Sequence, residues 1–199
     1  VSVSGSLAST KIRGFDARKM HLIWVHQKPL AISIDLKGKM MMPSFHDAHS
    51  HPIWDGINRL KCVLTDLYDI KSIQNVLKEC LNSDLTKTTG WIVGSGLNIG
   101  LFPAGNPNKS LLDDISKDIP IILWANDGHS GLANSKALEL ANITMSTQDP
   151  EYGLIERNPI TGEPSGTLRE SIAINLVLDL APKDRDSDYD KGLSIAQEM

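Results

Sequence analysis

Met42-Pro43-Ser44-Phe45-His46-Asp47-Ala48-His49-Ser50-His51-Pro52 is the stretch on which the reading of this 199-residue chain turns. An apolar run leads into it and a proline closes it, the pattern of a β-strand. Strand side chains alternate faces, which places Asp47, His49 and His51 on one side and His46, Ala48 and Ser50 on the other. Two imidazoles and a carboxylate in reach of one point suit a borderline divalent metal such as zinc. Asp47 fits best as the partner that orients a ligand histidine, and His46, facing away, as a structural residue. His-x-His pairs also occur by chance on surface strands, so spacing alone only suggests a site and the context has to decide.

That context is specific. Ile34-Asp35-Leu36-Lys37-Gly38-Lys39-Met40-Met41-Met42-Pro43 is a short strand, a Lys-Gly-Lys turn and an apolar run that carries straight into the histidines. The whole segment closely resembles the first barrel strand of the amidohydrolases in the urease-like superfamily. Asp127-Gly128-His129-Ser130 with Asn134-Ser135-Lys136-Ala137-Leu138 resembles one branch, the amidohydrolase 3 family. So does Gly153-Leu154-Ile155-Glu156-Arg157-Asn158-Pro159 with Thr161-Gly162-Glu163-Pro164-Ser165-Gly166-Thr167-Leu168-Arg169-Glu170. The blocks follow the family's order and span residues 31–198. One residue departs from the pattern: the family's usual glycine between Pro43 and Phe45 is Ser44, which lacks glycine's backbone freedom.

The resemblance implies an α/β fold. It would be part of a metal-dependent (β/α)8 barrel hydrolase, with a small β-rich flanking domain and an inserted α/β segment. Residues 1–39 would form the β-rich flank and 40–199 the N-terminal part of the amidohydrolase domain. Within the latter, the first barrel strand falls at 40–51 and the insertion at 65–180. Such barrels take about 250 residues and build their active site from the C-terminal ends of several strands. One barrel strand is therefore expected here, and the general-base aspartate is expected beyond residue 199. The start at Val1 rather than methionine fits a fragment.

The implied chemistry is hydrolysis of a carbon–nitrogen bond other than a peptide bond, in a small amide or formamide. Water would be activated by one or two divalent ions, zinc foremost. His49 and His51 would be metal ligands supported by Asp47. Glu170 is the acid in a family-like block that could bridge a second ion, although the helix dipole favours an acid in a first helical turn whatever its role. His129 lines the substrate pocket on this reading. The residues alone also allow a plain turn made by Asp127 and Ser130, with His129 left exposed.

Composition excludes other classes. A net charge of −4 with no basic stripe argues against nucleic acid or an anionic membrane as partner. No apolar run approaches the roughly 20 residues needed to span a bilayer. The first ten residues carry neither a basic nor an apolar signal region, so a cytoplasmic location is expected. Cys62 and Cys80, 18 positions apart, read as reduced thiols, and the sequons at Asn108 and Asn142 as chance matches. Gly94-Ser95-Gly96-Leu97-Asn98-Ile99-Gly100 lacks the dinucleotide spacing and reads as pocket wall or turn.

Periodicity places the elements. His21–His26 and Leu30–Leu36 form a hairpin-like pair. Ile73, Val76, Leu77, Cys80 and Leu81 predict a helix from Ile70 capped by Asp69. Strands follow at Trp91–Val93 and Ile119–Ala125, then a helix capped by Asn134 running through Leu140. Leu168, Ile172, Leu176 and Leu180 predict another helix, ended by Pro182, and a last helix starts near Asp190. The competing expectation is a truncated, non-catalytic chain: an interaction module or a weak metal binder. A barrel strand without its neighbours would leave edges open to self-association.

Overall fold

The computed structural model describes Lys37, Gly38, Met40 and residues 51–198. The hairpin-like pair, Asp47, His49 and most of the expected metal strand lie outside the described residues. The compact unit described below starts at Ser50.

Helix α1 (Pro52–Asn58) opens on a proline in its first turn and leads to the short strand β1 (Cys62–Val63). Helix α2 (Ile70–Asn82) starts where the sequence places it: Asp69 Oδ1 accepts from the Ser72 amide at 2.9 Å and Oδ2 from Ser72 Oγ at 2.6 Å. Its stripe buries Ile73 and Leu77 completely. Ser83 caps α3 (Asp84–Thr89), which stops at Gly90, whose φ of 71° is the left-handed geometry that glycine adopts without strain. Next come β2 (Ile92–Leu97), two short 3-10 turns, α4 (Ser110–Asp113), β3 (Ile121–Ala125) and β4 (Ser130–Ala133). Then follow α5 (Ser135–Leu140), β5 (Leu154–Arg157), β6 (Pro164–Arg169), α6 (Glu170–Leu178) and α7 (Asp186–Glu198).

The six strands form one sheet in the order β1-β2-β3-β4-β6-β5. β1, β2 and β3 are parallel, whereas β4 runs antiparallel to both β3 and β6, and β5 antiparallel to β6. The described residues are thus an open mixed sheet over the stretch expected as an insertion, and they show no barrel closure. β3 is buried on both faces, as its unbroken Ile-Ile-Leu-Trp-Ala run requires. Ile121 and Leu123 point into a core with Leu64, Ile73, Leu77 and Leu112. Ile122 enters the opposite core with Leu138, Ile155, Leu168, Ile174 and Val177. The period-2 alternation of a single strand therefore divides the helices into two layers.

Asn134 joins these layers. It is fully buried, and its side chain uses all four hydrogen-bonding positions. Oδ1 accepts from Ile121 N at 3.0 Å and Ala137 N at 2.9 Å, while Nδ2 donates to the carbonyls of Ser116 and Ile119. The expected cap of α5 is thereby also the clamp that starts β3.

Three expectations are corrected. Cys62 and Cys80 are joined by a disulfide, with Cα atoms 5.8 Å apart. β1 lies against α2, and this strand-to-helix packing brings together thiols that their spacing in sequence keeps apart. The cytoplasmic expectation loses the support that reduced thiols gave it. Leu168 belongs to β6, not to a helix, and α6 turns Ala173, Ile174 and Val177 inward. Of the residues that suggested the helix, Ile172 and Leu176 lie on its exposed side and Leu180 lies beyond its end, also exposed. The last helix begins at Asp186, four residues before Asp190, because Asp188 accepts from the Arg185 amide at 3.0 Å and organises its first turn.

Among the described residues, no helix is long and apolar enough to cross a membrane.

Candidate active site

Sheet topology decides where the polar residues gather. β1, β2, β3 and β6 all run the same way, so their C-terminal ends share one edge with the N-terminal ends of β4 and β5. Ligands of open α/β sheets bind beyond the carboxyl ends of parallel strands, where polar groups can be presented without breaking the ladder. Here that edge carries Thr65 and Asp66 after β1, Asn98 after β2, Asn126 to His129 after β3, and Arg169-Glu170 at the end of β6.

His129 and Glu170, both singled out in the sequence, meet there. His129 Nδ1 lies 3.0 Å from Glu170 Oε2, and the Glu170 amide donates to the His129 carbonyl at 2.7 Å. Glu170 has a φ of 64°, a left-handed conformation that non-glycine residues rarely adopt. Such a backbone costs about 1–3 kcal/mol and persists where the surroundings fix it, commonly at functional sites. Both side chains remain more than half exposed, so the pair is open to a ligand.

The turn beneath the pair is closed by hydrogen bonds to Asp127. Asp127 Oδ1 accepts from the amides of His129 (3.0 Å) and Ser130 (2.9 Å), and Oδ2 from Ser130 Oγ at 2.7 Å. Burial pushes the Asp127 carboxyl up, but the Ser130 and His129 hydrogen bonds and the nearby Arg169 charge more than offset it, leaving it below its ordinary range. The Asp127–Ser130 turn and the exposed His129 are thus both present, and the turn is what aims the imidazole at Glu170.

Arg169, not singled out in the sequence, holds the base of this edge. Its Nε donates to Glu156 Oε1 at 3.2 Å, one terminal nitrogen to Ser130 Oγ at 2.6 Å, and the other to the Gly105 carbonyl at 2.9 Å and to Asn106 Oδ1. The one available signal was its place beside Glu170 in a family-like block.

The hydrogen bond and charge of Glu170 raise the His129 pKa above its ordinary 6.5. A raised folded-state value means that the pair's stabilisation is fully present below pH 6.5 and fades as pH climbs through the raised value. In the metal-free chain, the His129 ring resonances should therefore titrate above 6.5, and Glu170→Gln should return the midpoint towards it. An unchanged midpoint in the variant would refute the coupling.

His51 precedes α1 and lines a cavity of ≈ 450 Å³ with Trp54, Trp124 and Tyr189; the two indoles pack edge to face, 5.8 Å apart. Among the described residues, no three His, Cys, Asp or Glu side chains converge on a metal position, and His51 is not gathered with His129 and Glu170. His49 and Asp47 lie outside the described residues. Two imidazoles with a carboxylate still fit a divalent ion by their chemistry. Glu163 is exposed, and Ser95, Gly96 and Asn98 do line a cleft, the pocket-wall role expected of that glycine-rich stretch.

Comparison with known proteins places the sequence in a family. The model of the amidohydrolase family matches residues 33–198. The chain is 34% identical over 146 residues to Protein LONG AFTER FAR-RED 3 of Arabidopsis thaliana, covering 73% of this chain and 24% of that protein. It is 33% identical over 169 residues to the putative amidohydrolase YtcJ of Bacillus subtilis, covering 84% and 31%. To the N-substituted formamide deformylase of Arthrobacter pascens it is 30% identical over 172 residues, again covering 84% and 31%. The chain belongs to the amidohydrolase family. It spans 24–31% of the length of these relatives.

Proposed function

We propose that this chain is part of a metal-dependent hydrolase that cleaves a carbon–nitrogen bond other than a peptide bond, in a small amide or formamide. The observation that carries this reading is the family match over 33–198, which contains the Asp47-Ala48-His49-Ser50-His51 motif. The likeness to a formamide deformylase supports the substrate class. His49 and His51 would hold the ion, zinc foremost, with Asp47 orienting them and Glu170 available for a second ion. When bound, the ion supplies an acidified water and a polarised carbonyl. His129, held by Glu170 above the sheet edge, presents its imidazole to the substrate. The Asp127 turn keeps that ring in place.

A second reading is a non-catalytic chain that binds metal weakly or associates with itself. The exposed Ile172 and Leu176 on α6, with exposed Leu180 just past its end, favour it. Metal content separates the two readings from a chain that binds no metal. The purified 199-residue chain should retain about one zinc, and His49→Ala combined with His51→Ala should lose it. Unchanged zinc in the double variant would refute the ligand assignment. With added zinc, residues 1–199 alone should turn over essentially no small N-substituted formamide, because one barrel strand does not assemble the whole site, and robust turnover would refute that expectation.

A further inference from the structure

Beside His129 the carboxyl edge opens into a cleft of ≈ 290 Å³, which Gly128, the residue before His129, helps to line. Asn58, at the end of α1, lines it too and is only 7% exposed. Its side-chain amide makes no hydrogen bond to any described residue. No buried side-chain nitrogen or oxygen among the described residues is both closed off and unpartnered, so the amide of Asn58 meets open space. Asn58 lines both this cleft and the neighbouring cavity of Trp54 and Trp124, and polar groups make up a larger share of the lining in the cleft than in the cavity. An amide withdrawn from bulk water without a protein partner is costly unless a ligand supplies one.

The charge of the cleft narrows the ligand. Among the described residues that line it, none is Lys or Arg, while Asp55 and Asp66 are carboxylates. Asp55 is neutralised by Arg59 at 3.1 Å. Among the described residues, Asp66 accepts from the Tyr68 hydroxyl alone, at 3.3 Å, and sits exposed with a φ of 62°. Trp54 and Tyr68, both exposed, also line it, and aromatic rings are favourable neighbours for a cation.

We infer that this cleft is a subsite for a small amide bearing a protonated amine, with Asn58 hydrogen-bonding the amide and Asp66 facing the ammonium. This rests on the hydrolase reading above and adds a substrate class to it. A carboxylate-bearing amide is disfavoured, because Asp66 would repel it and no cation lines the cleft to receive it.

The test uses the 199-residue chain freed of metal by a chelator, so that its result is independent of His49 and His51. Ligand-observed NMR would compare N-(3-aminopropyl)formamide, N-propylformamide and 3-formamidopropanoate. The cationic probe should bind about tenfold more tightly than the neutral one, the worth of one unpaired charge near the surface, and the anionic probe most weakly. Asn58→Leu should weaken the neutral and cationic probes about tenfold, the ordinary cost of a lost hydrogen bond in a desolvated site. Asp66→Asn, at an exposed position that folding tolerates, should abolish the preference for the cation and decides the matter if Asn58→Leu does not fold. Equal binding of the cationic and anionic probes, no binding at all, or full binding by folded Asn58→Leu would overturn the inference. Zinc retention with failed probe binding would leave the hydrolase reading standing and this one refuted.

Discussion

Gly56→Ala should unfold the contact between α1 and α7 and lower stability by about 3 kcal/mol or more, the upper range for forcing extra volume into a packed interface. Glycine inside a helix costs roughly 1 kcal/mol relative to alanine, so two facing interior glycines need a packing reason. The structure supplies it. A Cβ on Gly56 would lie 2.0 Å from the Gly192 carbonyl oxygen and 2.6 Å from its carbon. Both are backbone atoms, so no side-chain rotation relieves the clash. In the other direction, a Cβ on Gly192 would lie 2.8 Å from both Ile57 N and Ile57 Cγ1. The helices must separate, which uncovers Ile57, otherwise 5% exposed. Amide exchange along α7 should accelerate towards that of a free helix, and the denaturant midpoint should fall. Gln197→Ala, an exposed change on the same helix, should leave both within about 0.5 kcal/mol of the parent. A Gly56→Ala chain as stable as the Gln197→Ala control would show that the close crossing does not exist in solution. Because α1 follows His51 directly, the same variant should disturb the expected metal ligand without touching it.

Particular residues explain what was legible beforehand. Asp69 and Asn134 announced α2 and α5 because a cap is a local device: the side chain bonds an amide three residues on, and sequence alone contains both partners. β3 was legible because burial on both faces leaves an unbroken apolar run. β4 and β6 were not, since Ser130–Ala133 and Pro164–Arg169 are rich in small residues and turn formers, and it is their ladders with β3, β5 and each other that make them strands. The disulfide failed for the same reason, and so did the helix built on Leu168, whose apolar spacing continued across a strand end. At the site, His129 and Glu170 were legible as residues through the family-like blocks. Their contact, across 41 positions, is a product of the β4–β6 ladder, and no local pattern encodes it. Asn58 and Asp66 had no local signal beyond polarity after an apolar run, and Arg169 had only its place beside Glu170 in a family-like block.

Arg169→Met should cost about 2–3 kcal/mol, because it removes one partner from a largely buried ion pair and strands several acceptors together. The Arg169 and Glu156 side chains are 22% and 26% exposed, so solvent screens them only in part. Methionine keeps much of the volume, which confines the loss to the polar network. Glu156, the Gly105 carbonyl, Asn106 Oδ1 and Ser130 Oγ would all lose a donor at once. Those groups belong to β5, a 3-10 turn, the loop after it and β4, so one guanidinium fixes four segments against the end of β6. Arg169→Lys should recover less than half of the loss, since an ammonium cannot reproduce the planar fork. The consequence for the site is indirect but measurable. Arg169 helps to keep Asp127 ionised, and Asp127 holds the turn that presents His129. Loosening that turn should weaken the His129–Glu170 contact and move the His129 titration back towards its ordinary 6.5. A denaturant midpoint unchanged in Arg169→Met, with the His129 titration also unmoved, would mean that the network is ornamental and that the edge is organised by the backbone ladder alone.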